Sequence, residues 1–240
     1  MDYEGLLELV KKRRMIRRFK PDPIPDEYVE KMIEVARFAP TACNAQATEF
    51  IVVKKKETKD KIVELFRQEN IVWHHLEWTR PKEDRFPRLL EEPKGRFAWA
   101  VAPVFIIVCG DMRAHEIEPM YVHLGFYPYV VWSDLAISAV YMHLAAATLG
   151  LATHWVASVA EPRLGAFVKD LLGVPRDWQL FELIATGYPA AEPRPRHVRP
   201  REELIHYDQL DKARVKTDEQ MKEYINQIRA WWAGGYVIEK

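Results

Sequence analysis

The stretch from Tyr129 to Leu149 places the strongest constraint on how this chain folds, because it is apolar around most of a helix circumference. Gly150 follows directly and predicts the end of the helix. A helix without a polar face must be covered on all sides, so we expect it at the centre of the fold. Four polar residues interrupt the run: Ser133, Asp134, Ser138 and His143. These interruptions argue against a membrane-spanning segment and predict a soluble protein.

Strand and helix patterns alternate along the rest of the chain. Continuous apolar runs predict four strands buried on both faces, at Phe50–Val53, Val104–Cys109, Thr153–Ser158 and Phe181–Thr186. Apolar stripes at helical spacing predict helices over Asp2–Arg14, between Asp26 and Pro40, over Thr58–Gln68, around Leu164–Leu171 and over Thr217–Ala233. The stripes include Leu6, Leu7 and Val10 in the first helix, and Leu164, Phe167, Val168 and Leu171 in the fourth. No repeat or linker interrupts this pattern, so we expect a single domain over residues 1–240.

The charge balance excludes partners that are recognised by a strong overall field. The 240 residues include 35 basic and 35 acidic side chains, which gives a formal net charge of zero. We therefore expect neither a nucleic-acid partner nor a membrane partner. The two cysteines, Cys43 and Cys109, are far apart and form no CxxC pair, and the N-terminus does not resemble a signal peptide. These observations predict a protein of the reducing cytoplasm.

The run from Lys12 to Phe19 places five cations in eight positions. Ile16 and Phe19 lie among these cations, so part of the run should face inward while the guanidinium groups face an anion. A planar guanidinium matches phosphate oxygens, which suggests a bound phosphate. A basic helix end that complements the helix dipole is the alternative, and the run alone does not separate the two.

A second arginine cluster lies near the other end of the chain. It contains Arg194, Arg196, Arg199 and Arg201, interleaved with Pro193, Pro195 and Pro200. The prolines predict an extended, stiff segment that holds its cations in place. Because the chain has neither GxGxxG nor a P-loop, a phosphate must be held by side chains, and these two clusters are the candidates that could converge on a dianion.

Five motifs in fixed order give the sequence a specific resemblance. They are Arg13-Arg14-Met15-Ile16-Arg17, the loop Ala39–Gln46, the helix end Leu144–Leu151, the segment Leu172–Trp178 and the segment Ile184–Pro189, followed by the second arginine cluster. In this order the chain resembles the nitroreductase family of FMN-dependent NAD(P)H oxidoreductases from about residue 8 to about residue 208. The resemblance implies an α+β fold in which a central mixed sheet is sandwiched by helices. It also implies a homodimer with two FMN sites at the subunit interface and a C-terminal extension.

The resemblance also assigns roles to individual residues. It implies that the FMN phosphate and ribityl chain are held by Arg13, Arg14 and Arg17 of one subunit, joined by Arg196 and Arg199, and that Met15 contacts the flavin through its backbone. It implies that the other subunit contributes Pro40, Thr41, Ala42, Asn44 and Gln46, with Asn44 and Gln46 at the flavin edge. The segment Trp155, Val156, Ala157 and Ser158 is expected along the isoalloxazine ring. No side chain is expected to act as a catalytic acid or base, because the cofactor carries the chemistry.

Two positions depart from the family pattern. Met15 stands where Ser or Thr is usual, so a hydroxyl contact to the flavin is lost and only the backbone can replace it. Ala47-Thr48 follows Gln46 where many members continue with Pro-Trp. Neither departure removes a cation, so we expect FMN binding to persist and substrate preference to differ.

The resemblance leaves three functions to compare. The first is hydride transfer from NAD(P)H through FMN to a nitroaromatic, a quinone or a related electrophilic acceptor. The second is a specialised reaction such as reductive dehalogenation or flavin fragmentation, and the third is flavin binding without catalysis. A specialised reaction needs a dedicated lid, and residues 70–100 are a candidate for a lid or a dimer arm. Residues 208–240 are expected to form a C-terminal arm.

Several remaining side chains have a structural and a functional interpretation. Trp73, Trp78 and Trp99 could stack on an aromatic substrate or fill a dimer groove. For Cys43, a small buried residue is favoured over a reactive thiol. For His154 and Asp134 we favour a satisfied structural histidine and a satisfied buried carboxylate. No HExxH motif occurs, so no metal site is expected.

Overall fold

The computed structural model describes residues 2–85, 97–125, 127–193 and 196–233. The chain forms two compact units, residues 1–193 and residues 194–240, and each is described by itself. The expectation of a single domain over residues 1–240 stays a prediction.

The first unit contains four strands and six helices within the described residues. The strands are β1 (Thr48–Val53), β2 (Val104–Asp111), β3 (Ala152–Val156) and β4 (Trp178–Gly187). The helices are α1 (Tyr3–Lys12), α2 (Asp26–Ala36), α3 (Lys56–Thr79), α4 (Pro119–His123), α5 (Tyr127–Thr148) and α6 (Pro162–Leu172). The four predicted strands are therefore confirmed in position, each to within a few residues.

The sheet has the order β1-β2-β4-β3, and each neighbouring pair is antiparallel. The expected α+β sheet between helices is confirmed, but the expectation of mixed strand directions is wrong for these four strands. The connection from β1 to β2 explains the direction of β2. Lys59 in the first turn of α3 donates from Nζ to the carbonyls of Ala102 at 2.8 Å and Pro103 at 3.0 Å. The start of β2 therefore lies beside the start of α3, so β2 returns antiparallel to β1.

Two apolar cores cover the two faces of the sheet. Phe105 and Ile107 of β2 belong to the core that includes α3 and α6, whereas Val104 and Ile106 belong to the core that includes α2 and α5. This alternation along one strand follows from the period of two in strand side chains. Strand β1 lies at the sheet edge and most of its residues are only half-buried, so the prediction that it is buried on both faces is wrong.

Strand β4 contains an irregularity that reorients one side chain. Val108 of β2 pairs with Glu182, but the next residue, Cys109, pairs with Leu180. Phe181 is therefore the extra residue of a β-bulge. As a result Phe181, Glu182 and Ile184 all face the α5 side of the sheet, although Phe181 and Glu182 are consecutive.

Helix α5 packs on the sheet through Leu135, Ala139, Met142 and Ala146. The segment Tyr129–Thr148 is long and apolar enough to cross a membrane, judged by length and composition only. Of its most apolar stretch, 50% is buried inside the protein. Val140 is 44% exposed on the side that the first unit leaves uncovered. The predicted central position is confirmed for one face, and the expectation of complete coverage is wrong for the described residues of this unit.

Two other predicted apolar stripes are less buried than expected. No residue of α1 is buried, and Leu6 is 49% exposed. In α6 Leu164 and Val168 are buried, but Phe167 is 47% exposed, and the Arg163 guanidinium lies over its ring at 5.9 Å from the centroid. In α2 Asp26 is the first helical residue, and Pro25 occupies the N-cap position.

Helix α3 continues to Thr79, well beyond the predicted end at Gln68. The turns beyond Gln68 bury polar residues, so the apolar residues there do not repeat at helical spacing. Glu69 is one of these residues, and it pairs with Arg163 of α6 at 3.2 Å. Part of the segment assigned to a lid or dimer arm is therefore packed helix, and residues 86–96 of that segment lie outside the described residues.

The tryptophans of this segment have different environments. Trp99 is 3% exposed, and its ring centroid lies 5.2 Å from that of Phe66 and 5.3 Å from that of Phe105. Trp99 is therefore a core residue, and both interpretations offered for it from the sequence are wrong. Trp73 packs partly against the same core, whereas Trp78 is 51% exposed. For Trp78 the two interpretations stay open.

The second unit contains α7 (Asp218–Ala233), close to the predicted helix over Thr217–Ala233. The segment before it is organised around Arg214. The Arg214 guanidinium donates to the carbonyls of Glu202 and Ile205 and contacts Nδ1 of His206 at 2.7 Å. Residues 234–240 lie outside the described residues, and the C-terminal arm stays a prediction.

Candidate functional site

The basic run after α1 lies along one edge of the sheet. The Ile16 N–H donates to the Thr153 carbonyl at 3.1 Å, and the Lys20 N–H donates to the Tyr188 carbonyl at 2.9 Å. Ile16 and Phe19 are buried, whereas Arg17 and Arg18 are exposed. The prediction that Ile16 and Phe19 face inward is confirmed, whereas the anion that the guanidinium groups are expected to face stays a prediction.

A cavity of about 480 Å³ lies beside this segment. Its wall combines the basic run with the C-terminal half of α5, the start of β3 and the chain after β4. The lining residues that carry charge are Lys12, Arg13, Arg14, Lys20 and Glu192. Four cations face one carboxylate, so the cavity favours an anion, and its volume is typical of a small-molecule site.

The inner wall of the cavity includes His143 of α5 and Thr153 of β3. His143 is 2% exposed, and its Nδ1 lies 2.8 Å from the Thr153 hydroxyl oxygen. Its Nε2 lies 2.8 Å from Oε1 of Glu182, which is fully buried. The other carboxyl oxygen, Oε2, has no hydrogen-bond partner among the described residues. The indole of Trp155 stacks on the imidazole with a centroid distance of 5.5 Å and an interplanar angle of 20°.

Burial determines the charge of this pair. It raises the pKa of Glu182 to about 9, because an ionised carboxylate loses its hydration there. The pKa of His143 is lowered to about 3, mainly by burial and also by the positive charge of Arg13. At neutral pH the pair therefore holds one proton on the carboxyl group and has no net charge.

His154 has a different environment from the one predicted. Its Nδ1 is buried without a hydrogen-bond partner among the described residues, so the prediction of a satisfied histidine is wrong. Burial lowers the pKa of His154 to about 3, with further contributions from Arg17 and His143. Burial, with Arg17 nearby, thus keeps this imidazole neutral.

Met15 interacts with β3 through its sulfur. The Trp155 N–H donates to Sδ of Met15 at 3.3 Å, and Met15 forms an isolated parallel bridge with Thr153. The thioether therefore accepts a backbone hydrogen bond of the segment that was expected along the flavin ring. After β3, residues Ala157–Ala160 form a 3₁₀ turn in which Ala157 is exposed and Ser158 is half-buried.

The loop from Pro40 to Gln46 is held by α5. Both carboxylate oxygens of Asp134 accept from the Ala42 N–H, at 3.2 and 3.3 Å, and Asp134 is 5% exposed. The prediction of a satisfied buried carboxylate is confirmed. The Thr41 hydroxyl accepts from the Gln46 N–H at 3.1 Å, which closes the loop. Asp134 and Thr41 thus fix the loop at two points.

The backbone of this loop is strained in a way that is typical of binding sites. Cys43, Asn44 and Gln46 adopt left-handed conformations with φ of 52°, 55° and 48°. Non-glycine residues in this region carry a cost and persist where the surroundings fix them. Asn44 and Gln46 are exposed, so the loop presents two amide side chains to a ligand or a partner. Cys43 is also exposed, so the prediction of a small buried residue is wrong.

The cavity brings together only part of the predicted site. Arg13 and Arg14 line it, whereas its described lining includes no residue of the loop Pro40–Gln46 or of Trp155–Ser158. The loop is attached at Asp134, nine residues before His143 on α5. Nine residues of helix span about 13 Å, so within one chain the loop and the cavity lie at different levels of the same helix.

The second arginine cluster belongs to the second unit. Arg196 is exposed, and Arg199 is half-buried with its Nε 3.3 Å from Oε2 of Glu203. Arg194 lies outside the described residues. Convergence of the two clusters on one anion stays a prediction.

Sequence reasoning missed the lining residues Lys20, His143, Thr153 and Glu192, and the buried Glu182. The available signal was a carboxylate inside a predicted buried strand, since such a group needs a partner. Histidines elsewhere form no metal site: within the part of the chain that the structure describes, no group of three or more His, Cys, Asp or Glu residues is placed to hold a metal ion.

Comparisons with known proteins agree with this architecture. The sequence model of the Nitroreductase family matches residues 10–188. FMN reductase (NAD(P)H) of Bacillus subtilis is 27% identical over 228 residues, which cover 89% of this chain and 80% of that protein. Iodotyrosine deiodinase of Thermotoga neapolitana is 27% identical over 208 residues, which cover 83% of this chain and 95% of that protein.

A solved structure shows the same fold at low sequence identity. The NADPH:FMN oxidoreductase from Vibrio harveyi, complexed with NAD+, superposes with a TM-score of 0.67 at 19% identity. The superposition covers 95% of this chain and 86% of that one.

The Glu182 carboxyl group should make stability depend on pH. Because its pKa is raised from 4.5 to about 9 on folding, its contribution to stability is complete below pH 4.5 and is lost as the pH rises toward 9. We expect the free energy of unfolding of the wild type, relative to Glu182→Gln, to fall between pH 6.5 and 8.5 in urea titrations. Glu69→Gln, which removes a buried carboxylate paired with Arg163, should give a constant difference. A constant difference for Glu182→Gln as well would contradict the assignment.

Proposed function

This chain belongs to the nitroreductase family, and from that premise we propose that it is an FMN-dependent oxidoreductase. It transfers hydride from NAD(P)H through FMN to a nitroaromatic, a quinone or a related small electrophilic acceptor. The observation that carries the proposal is the cavity in which Lys12, Arg13, Arg14 and Lys20 face one carboxylate. The name of the Bacillus subtilis relative supports the choice of cofactor.

The residues of the cavity fit the phosphate end of FMN. Guanidinium groups bind phosphate oxygens through two parallel N–H donors. Arg13 and Arg14 are both half-buried, so water competes less for these donors. The Ile16 N–H to Thr153 hydrogen bond and the burial of Ile16 and Phe19 fix the backbone that carries them. Arg196 and Arg199 of the second cluster join this group in our proposal.

Bound FMN supplies the hydride chemistry, and the protein binds and orients it. The exposed guanidinium of Arg17 would stabilise negative charge on the reduced ring. Asn44 and Gln46 provide amide donors and acceptors at the ring edge, with Pro40, Thr41 and Ala42 completing the loop. Trp155, Val156, Ala157 and Ser158 lie along the ring, next to Met15.

The active form is a homodimer in which each FMN site takes residues from both chains. Two observations support this arrangement. Helix α1 has no buried residue, and its Tyr3, Leu6 and Val10 are exposed, as is Val140 of the adjoining α5. The strained loop with Asn44 and Gln46 does not line the cavity of its own chain. A second copy would cover the apolar helices and could bring its loop to this cavity.

Reductive dehalogenation is the second candidate reaction. The similarity to a relative named iodotyrosine deiodinase, which this chain covers over 95% of its length, favours it. Flavin fragmentation and flavin binding without catalysis stay predictions from the sequence. The cytoplasm is the proposed location for any of these activities, since it supplies NAD(P)H.

The direct test is anaerobic reduction of the purified protein. We expect a yellow preparation whose visible flavin absorbance is bleached by NADH or NADPH and restored by an acceptor. A panel of nitroaromatics, quinones and halogenated tyrosines then separates the two candidate reactions. A colourless protein that takes up no FMN would contradict the proposal.

Arginine substitutions test the placement of the phosphate. Replacing Arg13 or Arg17 with Ala should weaken FMN affinity by about 1.5–3 kcal/mol for each charged hydrogen bond lost, measured by quenching of flavin fluorescence. Arg18→Ala is the matched control, because Arg18 is an exposed cation of the same run to which the proposal gives no contact with FMN. Equal retention of flavin in all three variants would show that the phosphate binds elsewhere.

Mixed dimers test whether a site is shared between chains. Arg13→Ala and Asn44→Ala homodimers should each have two impaired sites. A heterodimer of the two variants should contain one site with both residues intact and one site lacking both. We expect it to bind one FMN per dimer with wild-type affinity, measured after affinity purification with two different tags. Two equally impaired sites would place Arg13 and Asn44 of one site in the same chain.

A further inference from the structure

Glu182 has no place in the proposed contacts to the cofactor, yet it lies directly behind the cavity. Its carboxyl group is fully buried, and one of its oxygens is 2.8 Å from Nε2 of His143. His143 lines the cavity, so a single imidazole separates the carboxyl group from the anion site. An acidic group behind a cluster of four cations opposes the binding of any anion when it is ionised.

We propose that the His143–Glu182 pair is a proton-linked control of the anion site, in which loss of the shared proton weakens anion binding and anion binding promotes uptake of the proton. This inference rests on the proposed function, because the phosphate of FMN is taken as the anion. The linkage is reciprocal, so the same factor describes the effect of the proton on affinity and the effect of the anion on protonation.

The surroundings of Glu182 make its charge difficult to compensate locally. From α5 it faces His143, and from β3 it faces Thr153 through that imidazole. His154, the next residue of β3, interacts electrostatically with His143. From β2 its partner is the apolar Val108. The positive groups that act on these two histidines are Arg13 and Arg17 of the basic run. An ionised Glu182 would therefore attract the same cations that are proposed to bind the anion.

Coulomb's law gives the order of magnitude of the effect of an ionised Glu182 on anion binding. Two unit charges about 10 Å apart in a medium of effective dielectric constant about 20 change an equilibrium constant roughly tenfold. Burial raises the pKa of Glu182 to about 9, which places the change in affinity in the alkaline range. The tenfold change is complete only well above the pKa of the complex, so we expect tight binding at pH 7.5 and about threefold weaker binding at pH 9.5.

The experiment compares FMN affinity of the flavin-free full-length protein at pH 7.5, 8.5 and 9.5, by quenching of flavin fluorescence. The wild type should lose about threefold in affinity across this range relative to Glu182→Gln, which keeps the shape of the side chain without its charge. Glu192→Gln is the matched control, because Glu192 is an exposed carboxylate of the cavity lining. It should bind FMN more tightly than the wild type and keep the pH dependence.

A second measurement uses the wild type alone and does not depend on the folding of any variant. Calorimetric titration with FMN at pH 9, in two buffers of different ionisation enthalpy, should show uptake of a fraction of one proton per site. Inorganic phosphate as the ligand should give uptake of the same sign. Parallel affinity curves for wild type and Glu182→Gln, or binding without proton uptake, would overturn the inference. Absence of FMN binding by the wild type at every pH would instead overturn the proposed function.

Discussion

The attachment of the basic run to the sheet is the interaction on which the candidate site depends. Five cations within eight residues repel one another, and such a segment would remain solvated without an anchor. Here Ile16 and Phe19 insert into the core, and backbone hydrogen bonds join Ile16 to Thr153 and Lys20 to Tyr188. The apolar contacts therefore hold the cations at one place on the surface, where they can act together on one anion.

The parts of the fold that the sequence predicted best are those set by local patterns. The four strands appear as continuous apolar runs, and Gly150 and Gly173 mark helix ends with φ of 71° and 70°. The inward position of Ile16 and Phe19 could also be read from their spacing within the basic run. The burial of Asp134 beside a hydrogen-bond donor was also predicted, because an unpaired buried carboxylate costs free energy and therefore needs a nearby N–H donor.

The parts that the sequence did not predict depend on contacts between distant residues. The end of α3 was missed because Glu69 and Glu77 are buried but paired with Arg163 and Arg80, so they break the apolar period without breaking the helix. The cavity was missed as a unit because Lys12, His143 and Glu192 approach one another only through the pairing of the basic run with β3 and β4. The exposure of Cys43 follows from a left-handed backbone that only the tethered loop enforces.

The β-bulge at Phe181 has a consequence for how the carboxyl group behind the cavity is positioned. In a regular strand the consecutive residues Phe181 and Glu182 would face opposite sides of the sheet. They could not then both face α5. The extra residue turns both toward α5 and its imidazole. The direction of the acid is therefore encoded in backbone pairing rather than in a side-chain rotamer. Loss of one residue at this point would restore regular alternation and turn the residues on one side of it to the opposite face of the sheet.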